Sequence, residues 1–318
     1  MATYKGIKGV KVQTKATDPT ASEAVGNVWY NSTSPTALKY SIQGTAGWAS
    51  GGTLNTGRQQ AGGAGTQTAA SVFGGATALD ATEKYDGTTW TTSPATLSPG
   101  RKEIAGVGTQ DAALTFGGPP ALAITESFDG TAWTELGDLN TGRRNISGFG
   151  IQTAAVAARG ESSTPSHAEV EEWNGSSWTE VTAVPTTRTQ GAGCGIITAG
   201  LIFGGYDPSA TDETFEYDGT NWTAGGALNT ARWNLGGFGT QTAGMAAGGG
   251  DPTPVIGGYT EKYNGSTWTE VADMATKRET LTTVGTDTAG LAIGGNPSLA
   301  PTEEWNDPVY TIKTVTVS

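Results

Sequence analysis

The chain has 318 residues and a formal net charge of −12, and it contains 49 glycines while only 15% of its residues are charged. Many glycines with abundant Thr, Ser and Asn are typical of short strands and tight turns, so the composition predicts an all-β fold. The acidic balance and the lack of a Lys/Arg-rich run argue against nucleic acid as a partner. No apolar run is long enough to predict a secretion signal or membrane insertion.

The chain has one histidine, His167, and one cysteine, Cys194. A single residue of each type supplies neither a His-rich metal site nor an internal disulfide. We therefore predict no metal and no cofactor, and we expect both residues to be ordinary parts of the structure.

Residues 1–25 form a polar, basic segment with few core residues. Such a segment cannot fold around a core of its own, which predicts an extended N-terminal arm that docks on another chain. Residues 26–54 follow with a spaced set of residues, namely Gly26, Trp29, Tyr30, Asn31, Leu38, Tyr40 and Trp48. This set resembles a short hairpin common in structural proteins of tailed bacteriophages. The resemblance implies that the arm contacts other virion proteins.

From residue 55 onward one pattern returns with a period of 42 to 46 residues. An aromatic residue is followed by Asp-Gly or Asn-Gly, and tryptophan stands five residues after the aromatic residue. These tryptophans are Trp90, Trp133, Trp178, Trp222 and Trp268. Asx-Gly predicts the left-handed turn of a hairpin between the third and fourth strands of each repeat. The tryptophan is a large apolar side chain, which we expect to be buried between neighbouring repeats.

Three further landmarks delimit the first two strands of the repeat. An arginine stands ten or eleven residues after each tryptophan, at Arg58, Arg101, Arg143, Arg188, Arg232 and Arg278. A glycine follows each arginine by seven residues, where we expect a positive φ at a hairpin turn. A glycine pair lies sixteen residues after each arginine and ends the second strand, with Arg159–Gly160 as the one departure. A four-stranded unit repeated every 40 to 50 residues is typical of β-propeller blades.

The arginine, the glycine pair, Tyr-Asp and Trp-Thr, as in SVFGGATALDATEKYDGTTWTT, resemble the kelch repeat. The resemblance implies a six-bladed kelch-like β-propeller over residues 55–310, with residues 311–318 as a C-terminal strand. The succession of arm, hairpin and Gly- and Thr-rich repeats is similar to virion proteins of marine phages that infect cyanobacteria and related hosts. This similarity implies a location in the virion.

The closure of the ring has two alternatives. Residues 48–54 match a fourth strand without a repeat of its own, and they can complete the last blade. The C-terminal sequence YTIKTVTVS competes for the same place. If the C-terminal strand closes the ring, the N-terminal segments VWYN, ALKYSI and WASGG form most of a seventh blade.

The loops between the second and third strands vary in length, whereas the other spacings are nearly constant. Variable loops on a rigid scaffold are the usual place for recognition. Sugars stack on exposed aromatic side chains and are oriented by a few polar groups, so Tyr206, Asp207, Tyr259 and Trp233 are the predicted ligand contacts.

The six repeat arginines enter the first strand from the same side as these loops, and there they are expected to ring the mouth of a central channel. A ring of positive charge suits a carboxylate or sulfate. The alternative is that the arginines pair with backbone carbonyls or with a glutamate two residues before the aromatic residue. These glutamates are Glu83, Glu126, Glu171, Glu261 and Glu303.

Together with the variable loops, the resemblance to phage proteins implies a non-enzymatic virion protein, an appendage or tail-fibre-like component that presents its loops to a host-surface glycan or protein or to neighbouring subunits. One alternative is a purely structural capsid or tail decoration protein. A second alternative is a glycan-acting enzyme. No catalytic residue is predicted, because adjacent carboxylates such as Glu171 and Glu172 point to opposite faces of a strand and do not make an acid–base pair.

Overall fold

A computed structural model describes residues 12–20, 27–33, 37–162, 166–253, 255–308 and 310–315. Residues 1–11 and 21–25 of the predicted arm lie outside the described residues, as do Gly26 and residues 316–318. The described residues form strands and no helix, which confirms the all-β prediction. The chain divides into two compact units, residues 47–306 and residues 1–46 with 307–318.

The described strands form seven four-stranded sheets, whereas the resemblance to the kelch repeat implied six blades, with seven as the alternative. The additional sheet, which we call the terminal sheet, belongs to the unit of residues 1–46 and 307–318. Its strands are β1 (Gln13–Lys15), β2 (Val28–Asn31), β3 (Ala37–Gln43) and, from the C-terminal end, β28 (Tyr310–Thr314). β2 and β3 form the predicted antiparallel hairpin, β1 is parallel to β2, and β28 is antiparallel to β3.

Part of the predicted arm is thus a strand of the terminal sheet. The Asp18 carboxylate, just after β1, accepts hydrogen bonds from Trp29 Nε1 at 3.0 Å and Asn31 Nδ2 at 2.7 Å, and it pairs with Lys39. These bonds, with that of Lys39 first, lower the pKa of Asp18 to about 2. The carboxylate therefore ties residues 13–18 to the hairpin.

Residues 47–306 contain the other six sheets. They begin with β4 (Gly47–Ser50), which belongs to the last sheet. Sheet one is β5 (Gly62–Thr66), β6 (Ala69–Phe73), β7 (Ala81–Tyr85) and β8 (Trp90–Thr96). Sheet two is β9 (Ala105–Thr109), β10 (Ala112–Phe116), β11 (Thr125–Phe128) and β12 (Trp133–Glu135). Sheet three is β13 (Ser147–Ile151), β14 (Ala154–Ala158), β15 (Val170–Trp173) and β16 (Trp178–Val181).

The second half follows the same order. Sheet four is β17 (Ala192–Ile196), β18 (Ala199–Phe203), β19 (Thr214–Tyr217) and β20 (Trp222–Ala224). Sheet five is β21 (Gly236–Thr240), β22 (Ala243–Ala247), β23 (Thr260–Tyr263) and β24 (Trp268–Glu270). Sheet six is β25 (Thr282–Thr286), β26 (Ala289–Ile293), β27 (Thr302–Asn306) and β4. All six are antiparallel; sheets one to five are meanders of consecutive strands, as the repeat predicts, and sheet six takes its fourth strand from the N-terminal side of sheet one.

The N-terminal strand β4, and not the C-terminal strand β28, completes sheet six. Trp48 pairs with Trp305 and Gly47 pairs with Asn306. The first strand of each sheet contacts the first strands of the sheets before and after it, and β25 contacts β5. The six sheets therefore form a closed cycle, which is consistent with a β-propeller.

Six backbone hydrogen bonds join neighbouring sheets around this cycle. In each bond, the residue two positions after the repeat arginine donates its N–H to the carbonyl of the equivalent residue in the preceding sheet. The pairs are Gln60 to Thr280 (2.8 Å), Glu103 to Gln60 (2.8 Å), Asn145 to Glu103 (3.0 Å), Gln190 to Asn145 (3.3 Å), Asn234 to Gln190 (2.8 Å) and Thr280 to Asn234 (2.7 Å). All six residues have a φ between 52° and 59°, a left-handed conformation that non-glycine residues rarely adopt.

The positive φ predicted at the glycine seven residues after each arginine is confirmed. The prediction that this glycine lies in the hairpin turn is wrong. Gly65 has a φ of 117° and lies inside β5, two residues before the turn at Gln67 and Thr68. A Cβ at Gly65 would stand 2.2 Å from the carbonyl oxygen of Ala69. The close approach of the partner strand, rather than the turn, therefore requires glycine.

The loops between the third and fourth strands are four residues long. In sheet one, Tyr85 pairs with Trp90, and Asp86 Oδ1 accepts hydrogen bonds from the backbone N–H groups of Thr88 at 2.9 Å and Thr89 at 2.7 Å. Gly87 has a φ of 91°. The Asx-Gly prediction of a left-handed turn is therefore confirmed.

The repeat tryptophans lie between neighbouring sheets as predicted, but they are not equally buried. Trp90, Trp178 and Trp268 are buried, whereas Trp133 and Trp222 are half-buried. Each buried indole donates a hydrogen bond to the threonine hydroxyl that begins the third strand of the preceding sheet, as from Trp178 Nε1 to Thr125 Oγ1 at 2.9 Å. For Trp222, the third strand of the preceding sheet is β15, which begins with Val170 and so offers no hydroxyl; Trp222 Nε1 donates to the Thr182 carbonyl at 3.0 Å instead.

Candidate functional site

Residues 47–306 have two ends of different character. We call one end the loop face: it carries the connections between the second and third strands of each sheet and those between successive sheets. The other end, the turn face, carries the short hairpins. The predicted ligand contacts all belong to the loop face, and Gly47 and Asn306, where the chain enters and leaves this unit, pair with each other at the turn-face end of sheet six.

Five of the six repeat arginines are buried in equivalent positions, which we call arginine sockets. In the socket of sheet five, Arg232 Nη1 donates to the carbonyls of Gly248 at 2.8 Å and Tyr259 at 3.1 Å, and Nη2 donates to Glu261 Oε1 at 2.8 Å. Burial lowers the pKa of Arg232, and the charge of Glu261 opposes that effect. The five ion pairs are Arg58–Glu83, Arg101–Glu126, Arg143–Glu171, Arg232–Glu261 and Arg278–Glu303.

For these five arginines, the expected ring of positive charge at the channel mouth is wrong. The alternative expectation, that they pair with glutamate, is confirmed. Their guanidinium groups are buried and bonded within the protein. The glutamate also accepts the backbone N–H of the residue three positions before the arginine, as from Asn229 to Glu261 at 2.7 Å. Each socket thus links the connection between two sheets to the sheet that follows it.

The sixth repeat arginine, Arg188, lies outside its socket. Its side chain is 19% exposed, its Nη2 lies 3.1 Å from Glu213 Oε2, and its Nη1 donates to the carbonyls of Thr187 at 2.7 Å and Asp207 at 3.5 Å. The socket of sheet four holds Arg159 instead, which is 1% exposed and donates from Nη1 to the Gly204 carbonyl at 3.5 Å. One predicted arginine is therefore at the surface.

Three other predicted contacts lie near Arg188. Tyr206 is 39% exposed, and its ring meets Trp233 edge to face with 5.5 Å between the ring centroids. Asp207 Oδ2 accepts a hydrogen bond from Thr187 Oγ1 at 3.1 Å. Tyr206 also exchanges backbone hydrogen bonds with Thr189, the residue after Arg188. We call Arg188, Tyr206, Asp207 and Trp233 the loop-face cluster.

Tyr259 has partners outside the residues named for this cluster. Its hydroxyl donates to Asp251 Oδ2 at 3.1 Å, and its half-buried ring lies 5.8 Å from the guanidinium of Arg232. The bond to Asp251 raises the pKa of Tyr259. The structure thus gives Tyr259 a packing role beside the sheet-five socket.

A small cavity at the loop-face end of the channel was not predicted from the sequence. Its volume is about 110 Å³, and the six residues of the backbone hydrogen-bond ring contribute to its lining: Gln60, Glu103, Asn145, Gln190, Asn234 and Thr280. A polar residue two positions after every repeat arginine was the signal that could have identified it. Gln190 and Asn234 directly neighbour Thr189 and Trp233 in sequence, so the cavity adjoins the loop-face cluster.

The remaining candidates have ordinary partners. His167 lies between Glu169 Oε2 at 2.6 Å and Ser162 Oγ at 2.9 Å. Burial raises the pKa of Cys194 to about 12. Among the residues that the structure describes, no group of three or more metal-ligating side chains comes together, and no helix is long and apolar enough to span a membrane.

Fold and site together define an all-β protein of repeated four-stranded sheets, with a partly exposed cluster of aromatic and charged side chains on the loop face. No family model matches the chain, and no curated protein matches it.

Proposed function

We propose that the chain is a non-enzymatic virion protein of a tailed bacteriophage, in which residues 47–306 form a six-bladed kelch-type propeller that binds a host-surface glycan through its loop face. Support for the kelch type comes from the conserved spacing of arginine, glycine pair and tryptophan in this sequence. Support for six blades comes from the closed cycle of first strands. The virion assignment rests on the likeness of the β2–β3 hairpin to phage structural proteins.

The observation that carries the binding proposal is the loop-face cluster. Tyr206 and Trp233 present aromatic surface, and Arg188 and Asp207 place a donor and an acceptor beside it. Aromatic faces with a few oriented polar groups are the usual means of holding a sugar. The turn face has short hairpins, and the Asp or Asn side chain of each Asx-Gly hairpin accepts hydrogen bonds from backbone N–H groups of the same hairpin, as Asp86 does.

The binding proposal is tested with isolated protein and envelope material from the host cell. We expect Tyr206→Ala and Trp233→Ala each to weaken binding strongly, and Thr88→Ala, at an exposed turn-face loop, to leave it unchanged. Equal loss from all three variants, or a particle structure in which the loop face is covered by other virion proteins, would contradict host-glycan binding.

A structural decoration role is the second candidate, and the turn face favours it. Ile151 and Ile196 end the first strands of the adjacent sheets three and four and are 50% and 52% exposed, where the other four sheets have threonine. Exposed apolar side chains in neighbouring sheets suit contact with another subunit. Under this role, Ile151→Thr with Ile196→Thr should prevent incorporation of the protein into the particle, and normal incorporation of the double variant would contradict it.

A glycan-cleaving enzyme has less support. Glu171 pairs with Arg143, and Glu172, on the opposite face of β15, accepts the Tyr217 hydroxyl at 2.8 Å. Both carboxylates of this adjacent pair thus have structural partners.

A further inference from the structure

The socket of sheet four departs from the repeat at three positions, two in the repeat of sheet four and one in that of sheet three. Phe215 stands where the other sheets have glutamate, and Pro185 stands where they have a residue whose N–H donates to that glutamate. Proline has no N–H, so it does not require the missing acceptor. Arg159, in sheet three, stands where the other sheets have the first glycine of the pair.

These three departures complement one another physically. Arg159 has a φ of 59°, close to the 64° of Gly204, so the backbone keeps the conformation of the glycine. Its side chain reaches into sheet four, where its guanidinium lies 5.2 Å from the Phe215 ring centroid and Nη2 donates to Thr186 Oγ1 at 2.9 Å. A cation over an aromatic face replaces the buried ion pair of the other five sockets.

Arg188 is excluded from the socket as a consequence. Arg159 already occupies the place that Arg232 fills in sheet five, as their equivalent bonds to the Gly204 and Gly248 carbonyls show. Arg188 therefore extends toward Asp207 and Glu213 at the loop face. A residue with a structural role in five sheets is available for another role in the sixth.

We propose that Arg188 is a ligand-contacting residue, released from its structural role by Arg159, Pro185 and Phe215, and that its ligand is an uncharged saccharide. This inference rests on the proposed glycan binding and names the chemistry and a specificity-determining residue of the same site.

The charges around the cluster favour an uncharged ligand. Glu213 lies 3.1 Å from Arg188 and offsets its charge, and Asp207 and the exposed Asp212 add negative charge nearby. The whole chain carries −12, so a uronate or sulfate would approach against the net field. The hydroxyl groups of a sugar can accept a hydrogen bond from Arg188 and donate one to Asp207. The C–H groups of the sugar ring can pack on Tyr206 and Trp233.

The test restores the repeat in sheet four. The variant Arg159→Gly, Pro185→Asn, Phe215→Glu supplies an empty socket with a carboxylate, which should draw Arg188 inward. Its matched control, Pro185→Asn with Phe215→Glu, keeps Arg159 in the socket to pair with the introduced carboxylate and leaves Arg188 at the surface. Both variants receive residues that other sheets already have, so both should fold.

The readouts are binding to a microarray of uncharged and of uronate- or sulfate-bearing oligosaccharides, and crystal structures of both variants. We expect the wild type to bind uncharged oligosaccharides, the restored variant to bind them about tenfold to a hundredfold more weakly because it loses a charged donor, and the control to bind them as the wild type does. The restored variant should show Arg188 buried in the socket.

Four outcomes overturn the inference. Unchanged binding by a restored variant with Arg188 buried shows that Arg188 does not contact the ligand. Equal loss in the control shows that socket packing alone affects the site. Selective binding of acidic oligosaccharides refutes the uncharged class while leaving glycan binding intact, whereas no binding to any saccharide removes the proposed function as well.

Discussion

Arg232 and Arg188 occupy the same position in adjacent repeats and have opposite environments. Arg232 is buried and ion-paired with Glu261, whereas Arg188 is partly exposed at the loop face. The difference arises from the residue opposite each arginine, glutamate in sheet five and Phe215 in sheet four, and from Arg159, which arrives from a neighbouring sheet. A position in a repeat therefore does not define a role; the side chains that meet it do.

Replacing Arg232 or Arg188 by an uncharged residue should give the largest difference in the free energy of unfolding. Arg232→Met leaves Glu261 buried without its partner and should lower the free energy of unfolding by about 3–5 kcal/mol. Arg188→Met removes a partly exposed ion pair and should cost about 0–1 kcal/mol. Urea unfolding of both variants measures the difference. Similar losses from the two substitutions would show that Arg188 also holds the fold together.

The inter-sheet tryptophans offer the next comparison. Trp178→Ala empties a buried site and should cost about 3–5 kcal/mol of unfolding free energy. Trp222→Ala removes a half-buried ring whose indole bonds to a carbonyl near the surface, so the loss should be smaller. Thermal unfolding of the two variants measures the difference, and equal losses would show that the tryptophans contribute equally to stability despite their unequal burial.

The contacts between neighbouring sheets differ in polarity, and changing one of them should alter the free energy of unfolding less than the loss of a buried tryptophan does. The Tyr263 hydroxyl donates to Glu216 Oε1 of sheet four at 2.6 Å, and burial together with this bond raises the pKa of Tyr263 to about 12. Tyr263→Phe leaves Glu216 without that donor and should cost about 1–3 kcal/mol.

The matched control for this junction is copied from sheets one and two. There Phe128 stands in the tyrosine position and Lys84 lies 6.0 Å from its ring centroid. Combining Tyr263→Phe with Glu216→Lys reproduces that pair and should recover part of the lost unfolding free energy. A double variant less stable than Tyr263→Phe alone would show that the junctions are not interchangeable.

The terminal sheet provides a partly exposed ion pair to set against the buried sockets. The pKa of Asp18 is lowered from 3.8 to about 2, so its contribution to stability is present above its usual pKa and is lost as pH falls through about 2. The NMR signal of the Trp29 indole N–H, which bonds to Asp18, should remain unchanged at pH 5 and shift only below about pH 3. Asp18→Asn should abolish that shift; a transition near pH 4 would mean that the bonds do not form in solution.

The sequence by itself determined the repeated local structure. The spacing of arginine, glycine, glycine pair, aromatic residue and tryptophan predicts four strands in each repeat, and the glutamate two residues before the aromatic residue provides a partner for the arginine. Gly87 and Gly65 were predictable because a positive φ excludes most side chains wherever it occurs. Tyr206, Asp207 and Trp233 were predicted as ligand contacts from local features of their loops; the structure places Tyr206 beside Trp233, and their contact with a ligand stays a prediction.

Only the tertiary structure decided which of several equivalent strands pair and which side chains share a socket. β4 and β28 both suit the edge of sheet six by pattern, but β4 pairs there and β28 joins β3, because the choice depends on contacts across the whole chain. Arg159 appears in the sequence as a lost glycine, and Phe215, 56 positions later, as a lost glutamate. Their meeting in one socket, with Arg188 displaced to the surface, follows from the packing of sheet three against sheet four, and spacing within a single repeat carries no information about it.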